Sequence, residues 1–318
     1  MSSWDSSRMP DCADRTVLVT GANSGLGFEA TKAFARKGAT VIMACRSTER
    51  GREAAADIKD GVGDTGATLK VRECDLASLG SIESFAAGVA RDYDGLDILC
   101  NNAGVMAIPR RETEDGFETQ LGVNHLGHFA LTRRLLGLLL AGDTTSRIVT
   151  HSSGAHEMGR MDFDDLHRED SYGKWEAYGQ SKLANLLFAY ELQRRLEAAG
   201  ADAISVACHP GYAATNLQYR GPKETGSRLR LGLVKAANAV LAQPAAKGCL
   251  PLLYAATAPD VAGGEFYGPG GLLNMRGSPE RQASSDASYD EADAAELWRR
   301  SEALTDTTFE FEAAAGGP

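Results

Sequence analysis

Short apolar runs rich in β-branched residues alternate with longer segments of helical periodicity along most of the chain. The runs predict strands at residues 16–20, 40–44, 69–73, 96–100, 147–151 and 203–207. Apolar residues between them recur at the spacing of amphipathic helices, as at 78–93, 117–140 and 178–199. Sustained β–α alternation predicts an α/β fold: a single domain with a doubly wound parallel sheet and helices on both faces. Its ligand crevice should lie at the carboxyl ends of the strands.

The two ends of the chain lack this pattern. Residues 1–13 predict a flexible N-terminal segment, and residues 14–277 contain the predicted domain with its cofactor and substrate sites. After residue 277 the sequence is polar, with one helical stretch near 288–304. We expect 278–318 to form a polar tail with a short helix, which either covers the site or frays.

Composition and charge exclude several classes of protein. The net charge of −10 and the lack of a basic stripe argue against nucleic acid as a partner. No stretch approaches the roughly 18 apolar residues of a membrane span, and residues 1–15 lack the apolar core of a signal peptide. The six cysteines form no Cys-x-x-Cys pair, so we expect no metal site and a reducing compartment, the cytoplasm.

A glycine-rich turn, Gly21-Ala-Asn-Ser-Gly25-Leu-Gly27, follows the first predicted strand and precedes a helical pattern. Gly21 lets the chain turn sharply, Gly25 lets the backbone approach a pyrophosphate, and Gly27 lets the helix lie close to the sheet. An ordinary βα turn that needs positive φ is the alternative. As a phosphate-binding turn at a helix N-terminus, the segment would use Gly21, Asn23, Ser24, Gly25, Leu26 and Gly27.

Tyr178 and Lys182 stand four residues apart, where the predicted helix at 178–199 begins. This spacing puts the phenol and the ammonium on one helix face. At an effective dielectric of about 20, an ammonium about 5 Å away favours the phenolate by about 3 kcal/mol, or about two pKa units. We therefore predict a phenol with a pKa near neutrality that exchanges a proton with a substrate oxygen. Such pairs also occur by chance in many helices.

These motifs, with two further segments, resemble the short-chain dehydrogenase/reductase family over about residues 14–271. Thr20–Gly27 is similar to the family's phosphate turn, Asn101-Asn-Ala-Gly104 to its segment after the fourth strand, and residues 209–215 to its nicotinamide-flanking segment. Cys45-Arg46, together with residues 123–129 and 181–185, resembles the retinol dehydrogenase and WW-domain oxidoreductase branch.

The resemblance implies a Rossmann fold and a set of functional residues. Tyr178 would be the general acid/base, Lys182 would also bind the nicotinamide ribose, and the backbone of Asn124 would hold a water in a proton relay toward Lys182. Asp75 and Leu76 resemble the family's adenine contact, although Asp75 is also interpreted as a cap for the helix from 78 onward. The remaining implied cofactor contacts are Asn102, Ala103, Gly104, Pro210, Gly211 and Thr215.

The end of the second strand indicates which nucleotide binds. NAD-binding folds place a carboxylate about 20 residues after the glycine turn, but Ala44-Cys45-Arg46-Ser47 contains none. Arg46 offers a guanidinium suited to a 2′-phosphate, so we expect NADP(H) in preference to NAD(H). Alternatively, Arg46 faces solvent and NAD(H) is used.

Ser153 follows the fifth strand and is expected to bond the substrate carbonyl oxygen. Strand alternation does not decide between Ser152 and Ser153, and the resemblance to the retinol dehydrogenase branch favours Ser153. Ser153 lies 25 residues before Tyr178, which leaves room for a substrate-side loop at 161–172. Within that loop we expect Asp164, Asp165 and His167 to be solvated.

The predicted function is an oxidoreductase that transfers a hydride between nicotinamide and a carbonyl or alcohol of a hydrophobic small molecule. The alternatives are a non-catalytic NADP(H)-binding regulator and a sugar-nucleotide epimerase or dehydratase. The pocket is expected to involve Met106, Ala155, Tyr212 and residues 217–241. Relatives dimerise through helices equivalent to 117–140 and 178–199, so a homo-oligomer is expected.

Overall fold

The structure, a computed structural model, describes residues 4–211, 243–271 and 274–311. In these residues eight strands form one sheet in the order β3-β2-β1-β4-β5-β6-β7-β8. Neighbours pair in parallel except β7 and β8, which are antiparallel. The strands are β1 Thr16–Thr20, β2 Thr40–Cys45, β3 Thr68–Glu73, β4 Ile98–Asn101, β5 Ser146–His151, β6 Ala203–Cys208, β7 Phe266–Pro269 and β8 Pro279–Gln282. The predicted α/β, Rossmann-like fold is confirmed.

The α-helices in this part of the chain are α1 Gly25–Arg36, α2 Thr48–Val62, α3 Leu79–Asp92, α4 Thr119–Leu121, α5 Gly127–Leu140, α6 Lys174–Ala198, α7 Ala245–Gly248, α8 Leu250–Thr257 and α9 Glu291–Thr305. A π-helical turn, Gly122–Leu126, joins α4 to α5. The predicted start of α6 at Tyr178 is wrong: the helix begins at Lys174, after Gly173 as N-cap, so Tyr178 lies in its second turn.

Alternate residues of each central strand enter two separate cores. Val17 and Val19 pack with α1, α2 and α8 on one face, whereas Leu18 packs with α3, α5 and α6 on the other. Because successive side chains of a strand point to opposite faces, fully buried runs such as β1 and β2 require helices on both sides. The chain order reverses between β1 and β4, which opens the crevice at the carboxyl ends of these strands.

The described parts of both ends pack on the domain. At the N-terminus this differs from the expected flexible segment, and at the C-terminus the helix expected near 288–304 is present as α9 and does not fray. At the N-terminus, Met9 and Cys12 are buried, and Trp4 packs edge-on against Tyr254. After residue 278, the chain adds β8 to the sheet and lays α9 along α6. Apolar side chains spaced for one helix face, Leu297 among them, explain why α9 docks.

Helix α9 packs against α5 and α6, the two helices through which relatives were expected to dimerise. Trp298 contacts Phe129 of α5 at 5.1 Å between ring centroids and stacks with Phe188 of α6 at 5.9 Å. The guanidinium of Arg195 lies 4.3 Å from the Trp298 ring centroid. Within one chain, these faces of α5 and α6 are therefore already occupied by the chain's own C-terminal helix. None of the helices in the described ranges is both long and apolar enough to span a membrane.

Candidate active site

The turn between β1 and α1 has the geometry that a nucleotide phosphate requires. Gly21 has φ +67°, a conformation that favours glycine. A Cβ on Gly27 would lie 2.4 Å from the Gly21 carbonyl oxygen, so only glycine allows α1 to approach the strand this closely. Ser24, the N-cap of α1, makes no side-chain capping bond, which leaves the first N–H groups of the helix available to an anion.

A cavity of about 280 Å³ lies over this turn, at the carboxyl ends of β1, β2, β3 and β4. Its lining contains most of the cofactor contacts predicted from the sequence: Gly21, Asn23, Ser24, Gly25, Leu26, Gly27, Arg46, Asp75, Leu76, Asn102, Ala103 and Gly104. The residues present therefore fit a dinucleotide, with the glycine turn as the cradle for its phosphates.

Sequence reasoning missed a second cation at the same cavity. Arg50 lines it beside Arg46 and Ser47. The Ser47 hydroxyl accepts a hydrogen bond from the Arg50 backbone N–H and so begins α2, which places Arg50 in the first helical turn. Within the described ranges, neither arginine forms an ion pair, so both guanidinium groups are free to meet a phosphate. The signal that could have revealed Arg50 is its place in the first turn of the helix that follows β2.

Asp75 lines the cavity and does not cap α3. Its Oδ1 accepts from the Ala77 N–H at 3.0 Å, which closes the turn after β3. The N-cap of α3 is Ser78, whose hydroxyl accepts from the Ser81 N–H at 3.4 Å. The sequence-based alternative of Asp75 as the helix cap is therefore wrong.

A network centred on the Thr20 hydroxyl holds the turn after β4 in place. Thr20 Oγ1 accepts from the N–H groups of Asn102 and Ala103, both at 2.9 Å, and lies 2.9 Å from His128 Nε2. Burial lowers the pKa of His128 to about 4, so the ring is neutral near pH 7. Gly104 follows, where a Cβ would lie 3.0 Å from Asn124 Oδ1 and 3.7 Å from Lys182 Nζ. The turn after β4 thus lies against Asn124 and Lys182, two of the predicted catalytic residues.

Tyr178 and Lys182 lie on one face of α6 and are both only 4 % exposed. Lys182 Nζ is 5.8 Å from the centroid of the Tyr178 ring and donates to the His151 carbonyl at 3.1 Å. Asn185 Nδ2 donates to the same carbonyl at 2.9 Å. The end of β5 therefore fixes the position of the ammonium.

Burial controls both pKa values, and the predicted neutral pKa of the phenol is wrong for the cofactor-free chain. Burial raises the pKa of Tyr178 to about 12, and the Ser153 hydroxyl offsets only part of this rise. Burial also lowers the pKa of Lys182 to about 8. The sequence-based figure included the attraction between the two groups but not the cost of removing each charge from water.

The structure separates the two candidate serines. Ser152 is buried and its hydroxyl donates to the Lys182 carbonyl at 2.8 Å, so it bonds to the helix backbone. Ser153 caps the 3₁₀ helix Gly154–Met158, and its hydroxyl accepts from the Ala155 N–H at 3.2 Å while interacting with the Tyr178 phenol. Ser153, as expected, is the serine beside Tyr178.

Asn124 lies in the π-helical turn and is fully buried. Its side chain accepts from the Val105 N–H at 2.8 Å and donates to the Val105 carbonyl at 3.0 Å and to Ser181 Oγ at 2.9 Å. His128 Nδ1 lies 3.0 Å from the Asn124 carbonyl. Because a carbonyl is an acceptor only, His128 donates from Nδ1 and accepts from Thr20 at Nε2. The carbonyl expected to hold a water is thus oriented by His128.

Other predicted residues lie at the edge of the described site or outside it. The carbonyl of Pro210 accepts from Gln243 Nε2 at 2.9 Å, and Gly211, at φ +62°, follows it. Neither lines the cavity. Thr215, together with the pocket residues Tyr212 and 217–241, lies outside the described residues.

The loop at 161–172 packs against the domain. His167 is stacked on Phe117 at 5.8 Å and accepts from the Glu118 N–H at 3.3 Å, so it is half-buried and packed, not fully solvated. Asp165 accepts from the N–H groups of Glu169 and Asp170 and stabilises the loop's own turn. No group of three potential metal ligands occurs in the residues that the structure covers.

Comparison with known proteins gives a consistent assignment. A family model described as short chain dehydrogenase matches residues 15–225. The chain is 40% identical over 300 residues to retinol dehydrogenase 14 of Mus musculus, covering 91% of this chain and 85% of that protein. It is 50% identical over 206 residues to retinol dehydrogenase 13 of Homo sapiens, covering 64% of this chain and 60% of that protein.

Solved structures agree with this assignment. A crystal structure of an uncharacterized protein from Mycobacterium paratuberculosis has a TM-score of 0.78 at 43% identity, covering 97% of this chain and all of that one (100%). A short chain dehydrogenase from Escherichia coli CFT073 complexed with NADPH has a TM-score of 0.54 at 28% identity, covering 69% of this chain and 84% of that one. The chain belongs to the short-chain dehydrogenase family of NAD(P)-dependent oxidoreductases and is related to the retinol dehydrogenases.

Proposed function

We propose that this enzyme uses NADP(H) to interconvert a carbonyl and an alcohol on a hydrophobic small molecule, with Tyr178 as the general acid/base. One observation carries the proposal: Ser153, Tyr178 and Lys182 meet beside a glycine-lined nucleotide cavity. When bound there, the nicotinamide would supply or accept the hydride.

The protonation state of Tyr178 suits the reduction of a carbonyl. With a pKa near 12, the buried phenol carries its proton at neutral pH and can donate it to an oxygen that becomes negative. The Ser153 hydroxyl can donate a second hydrogen bond to the same oxygen. Alcohol oxidation would need the phenolate, which a nearby positive charge has to stabilise.

Lys182 can supply that charge and can also bind a ribose hydroxyl. Its ammonium donates to one carbonyl, that of His151, and so retains donors for a ligand. Gly104 leaves open the space above Asn124 and Lys182, because any larger side chain would lie against Asn124 Oδ1. These contacts support a ribose site between Lys182 and the turn after β4.

The two arginines support NADP(H) over NAD(H). Arg46 and Arg50 line the cavity at the end of β2, where the adenosine ribose of a bound dinucleotide would lie. The segment Ala44–Ser47 has no carboxylate to bind ribose hydroxyls. A 2′-phosphate carries two negative charges near neutral pH, which two guanidinium groups can balance. The NADPH complex of the related Escherichia coli dehydrogenase is consistent with this choice.

Exposed apolar side chains near Tyr178 support a hydrophobic substrate. Trp175 lies one helical turn before Tyr178, with ring centroids 6.2 Å apart, and is 49 % exposed. Met158 is 59 % exposed and lies against Gly179, the residue that follows Tyr178 in α6. Exposed large apolar groups beside a buried reactive group are typical of a binding site. The names of the retinol dehydrogenase relatives agree with an apolar alcohol or aldehyde.

The proposal is tested by following NADPH consumption with a panel of apolar aldehydes, ketones and alcohols, with NADH in parallel. Tyr178→Phe should lower kcat by about 10²-fold or more, because it removes only the transferable proton. NADPH binding, followed by fluorescence, should be unchanged. Tyr93→Phe, at the end of α3, is the matched control. Reduction by the Tyr178→Phe variant at more than a few per cent of the wild-type rate would exclude the acid role.

A further inference from the structure

His156 lies three residues after Ser153 and has a hydrogen-bonding role that the proposed chemistry does not use. It belongs to the 3₁₀ helix Gly154–Met158, and only 3 % of the residue is exposed. Its ring packs edge-on against Phe266 of β7, with centroids 5.5 Å apart and an interplanar angle of 84°. The plane of the imidazole is therefore fixed by packing.

The two neighbours of the ring allow one tautomer. Nδ1 lies 2.7 Å from the Ser153 carbonyl, which can only accept, and Nε2 lies 3.2 Å from the Ser285 backbone N–H, which can only donate. Nδ1 must therefore carry the hydrogen and Nε2 the lone pair. The Glu157 carboxylate lies 3.6 Å from Nε2, beyond hydrogen-bond distance, and its side chain is 70 % exposed. The ring thus bridges two backbone groups 132 positions apart in the sequence.

One end of this bridge fixes the backbone of Ser153. The Ser153 carbonyl accepts twice from His156: from the backbone N–H at 3.0 Å and from Nδ1 at 2.7 Å. The Ser153 hydroxyl oxygen accepts from the Ala155 N–H, which leaves the hydroxyl hydrogen free to donate elsewhere. The position of the Ser153 backbone determines where that hydrogen can reach. Rotation of the Ser153 peptide would move that hydroxyl away from Tyr178.

The other end is anchored on α6, the helix that carries Tyr178. Ser284, next to Ser285, shares hydrogen bonds with Tyr190 at 2.8 Å and with Ser288 at 2.5 Å. Tyr190 of α6 is stacked on Tyr289, with rings 5.2 Å apart and 4° from parallel. The segment 284–289 therefore has a fixed position relative to α6.

A second histidine repeats the arrangement at the end of β6. His209 Nε2 lies 2.8 Å from Gln282 Oε1, and its Nδ1 accepts from the Gly211 N–H at 3.3 Å. Its ring is also stacked on Phe266, with centroids 5.1 Å apart. The segment from Gln282 to Ser285 thus contacts the chain after both β5 and β6.

We propose that His156 is a positioning residue that holds Ser153 in register with Tyr178 by tying it to the C-terminal segment 282–289. The inference rests on the proposed function, because it assigns His156 an effect through Ser153. Loss of the bridge should lower kcat and leave NADPH binding unchanged, since no cofactor contact is involved.

Two substitutions of His156 separate positioning from packing. In His156→Asn the amide nitrogen can replace Nδ1 as donor to the Ser153 carbonyl, whereas in His156→Gln the amide lies near the position of Nε2 and that donor is lost. Each variant keeps one end of the bridge: His156→Gln loses the donor to the Ser153 carbonyl, and His156→Asn loses the acceptor for the Ser285 N–H. With NADPH and the apolar aldehyde nonanal, we expect His156→Gln to lower kcat about tenfold, and His156→Asn about threefold because the direct bond to Ser153 remains. Equal losses in both variants would overturn the proposal.

A double variant tests whether the effect passes through Ser153. Ser153→Ala should abolish most turnover, and adding His156→Gln should then cost little more, because residues that act as a unit are not additive. If the fold-losses in kcat of the two single variants multiply in the double variant, the coupling between His156 and Ser153 is rejected. If Ser153→Ala and Tyr178→Phe both stay active, the proposed function itself fails, which is a different outcome.

The far end of the bridge can be cut without changing His156. Ser285 has φ −61°, which proline adopts, so Ser285→Pro removes the N–H donor. Ser285→Ala keeps the N–H and is the control. Hydrogen exchange of residues 153–158, measured without substrate, should be faster in Ser285→Pro and in His156→Gln than in Ser285→Ala and the wild type. Unchanged exchange in both would contradict the bridge, even if nonanal is not reduced.

Discussion

Replacing Lys182 by Met should make the cofactor-free protein more stable while removing its activity. Burial lowers the pKa of Lys182 from 10.5 to about 8, so the folded chain holds this ammonium at a cost. At about 1.4 kcal/mol for each pH unit of that difference, the cost is about 3 kcal/mol below pH 8. Methionine has similar length and no charge to desolvate.

The hydrogen bond that Lys182 makes reduces this gain. Its loss costs about 1 kcal/mol, because Asn185 Nδ2 still donates to the His151 carbonyl and leaves no orphaned acceptor. At pH 7 we therefore expect Lys182→Met to raise the free energy of unfolding by about 2 kcal/mol. The charge of Lys182 therefore lowers the stability of the fold, and its presence is explained by function.

The pH dependence has a definite sign. Between about pH 8 and 10.5 the unfolded chain binds more protons at Lys182 than the folded chain, so the stability of the wild type rises with pH. The advantage of Lys182→Met should therefore shrink by about 2 kcal/mol between pH 7 and pH 9.5.

Urea unfolding of the cofactor-free protein, followed by tryptophan fluorescence at both pH values, measures this difference. Lys59→Met, at an exposed position in the last turn of α2, should change stability by less than about 0.5 kcal/mol at either pH. A Lys182→Met variant less stable than wild type at pH 7, or a difference that does not vary with pH, would refute the reasoning.

Three further predictions concern the nucleotide and substrate sites. Gly27→Ala should destabilise the protein by about 2 kcal/mol and weaken NADPH binding, because the new Cβ would meet a backbone carbonyl. The control Gly137→Ala, with no atom within 4 Å of its Cβ, should have neither effect. Equal urea midpoints for the two variants would contradict the close packing of α1 on β1. Arg46→Ala combined with Arg50→Ala should raise the Kd of NADPH about tenfold or more and leave that of NADH unchanged; a parallel rise in both constants in fluorescence titrations would argue against a phosphate site. Trp175→Ala should raise KM for nonanal several-fold with little change in NADPH binding, and an unaltered KM would remove Trp175 from the substrate site.

The sequence predicts the parts of this molecule that depend on local pattern. β-branched runs located β1 to β6 to within two residues, whereas β7 and β8 were not predicted. The three glycines of the first turn predicted the phosphate-binding turn between β1 and α1. The spacing of Tyr178 and Lys182 predicted a shared helix face, because helical periodicity fixes that neighbour relation. The burial that raises one pKa and lowers the other depends on the whole fold and is not visible in the spacing.

Contacts between distant segments were beyond this reasoning. The helix near 288–304 was predicted, but the polar composition after residue 278 masked its apolar face, to which Ala294, Leu297 and Trp298 contribute. The partner of His156 at Ser285 and the π-helical turn that contains Asn124 arise from tertiary packing, which no local periodicity indicates.

The outermost strands of the sheet bear on how the protein avoids aggregation. Sheet edges present unpaired backbone groups to other chains, and proline or charge at an edge discourages such pairing. β8 ends the sheet with Pro279, Glu280 and Arg281, and β3 ends the other side with Lys70 and Glu73 exposed. Removing these charges, with the fold intact, should favour intermolecular strand pairing and limit the concentration at which the enzyme stays in solution.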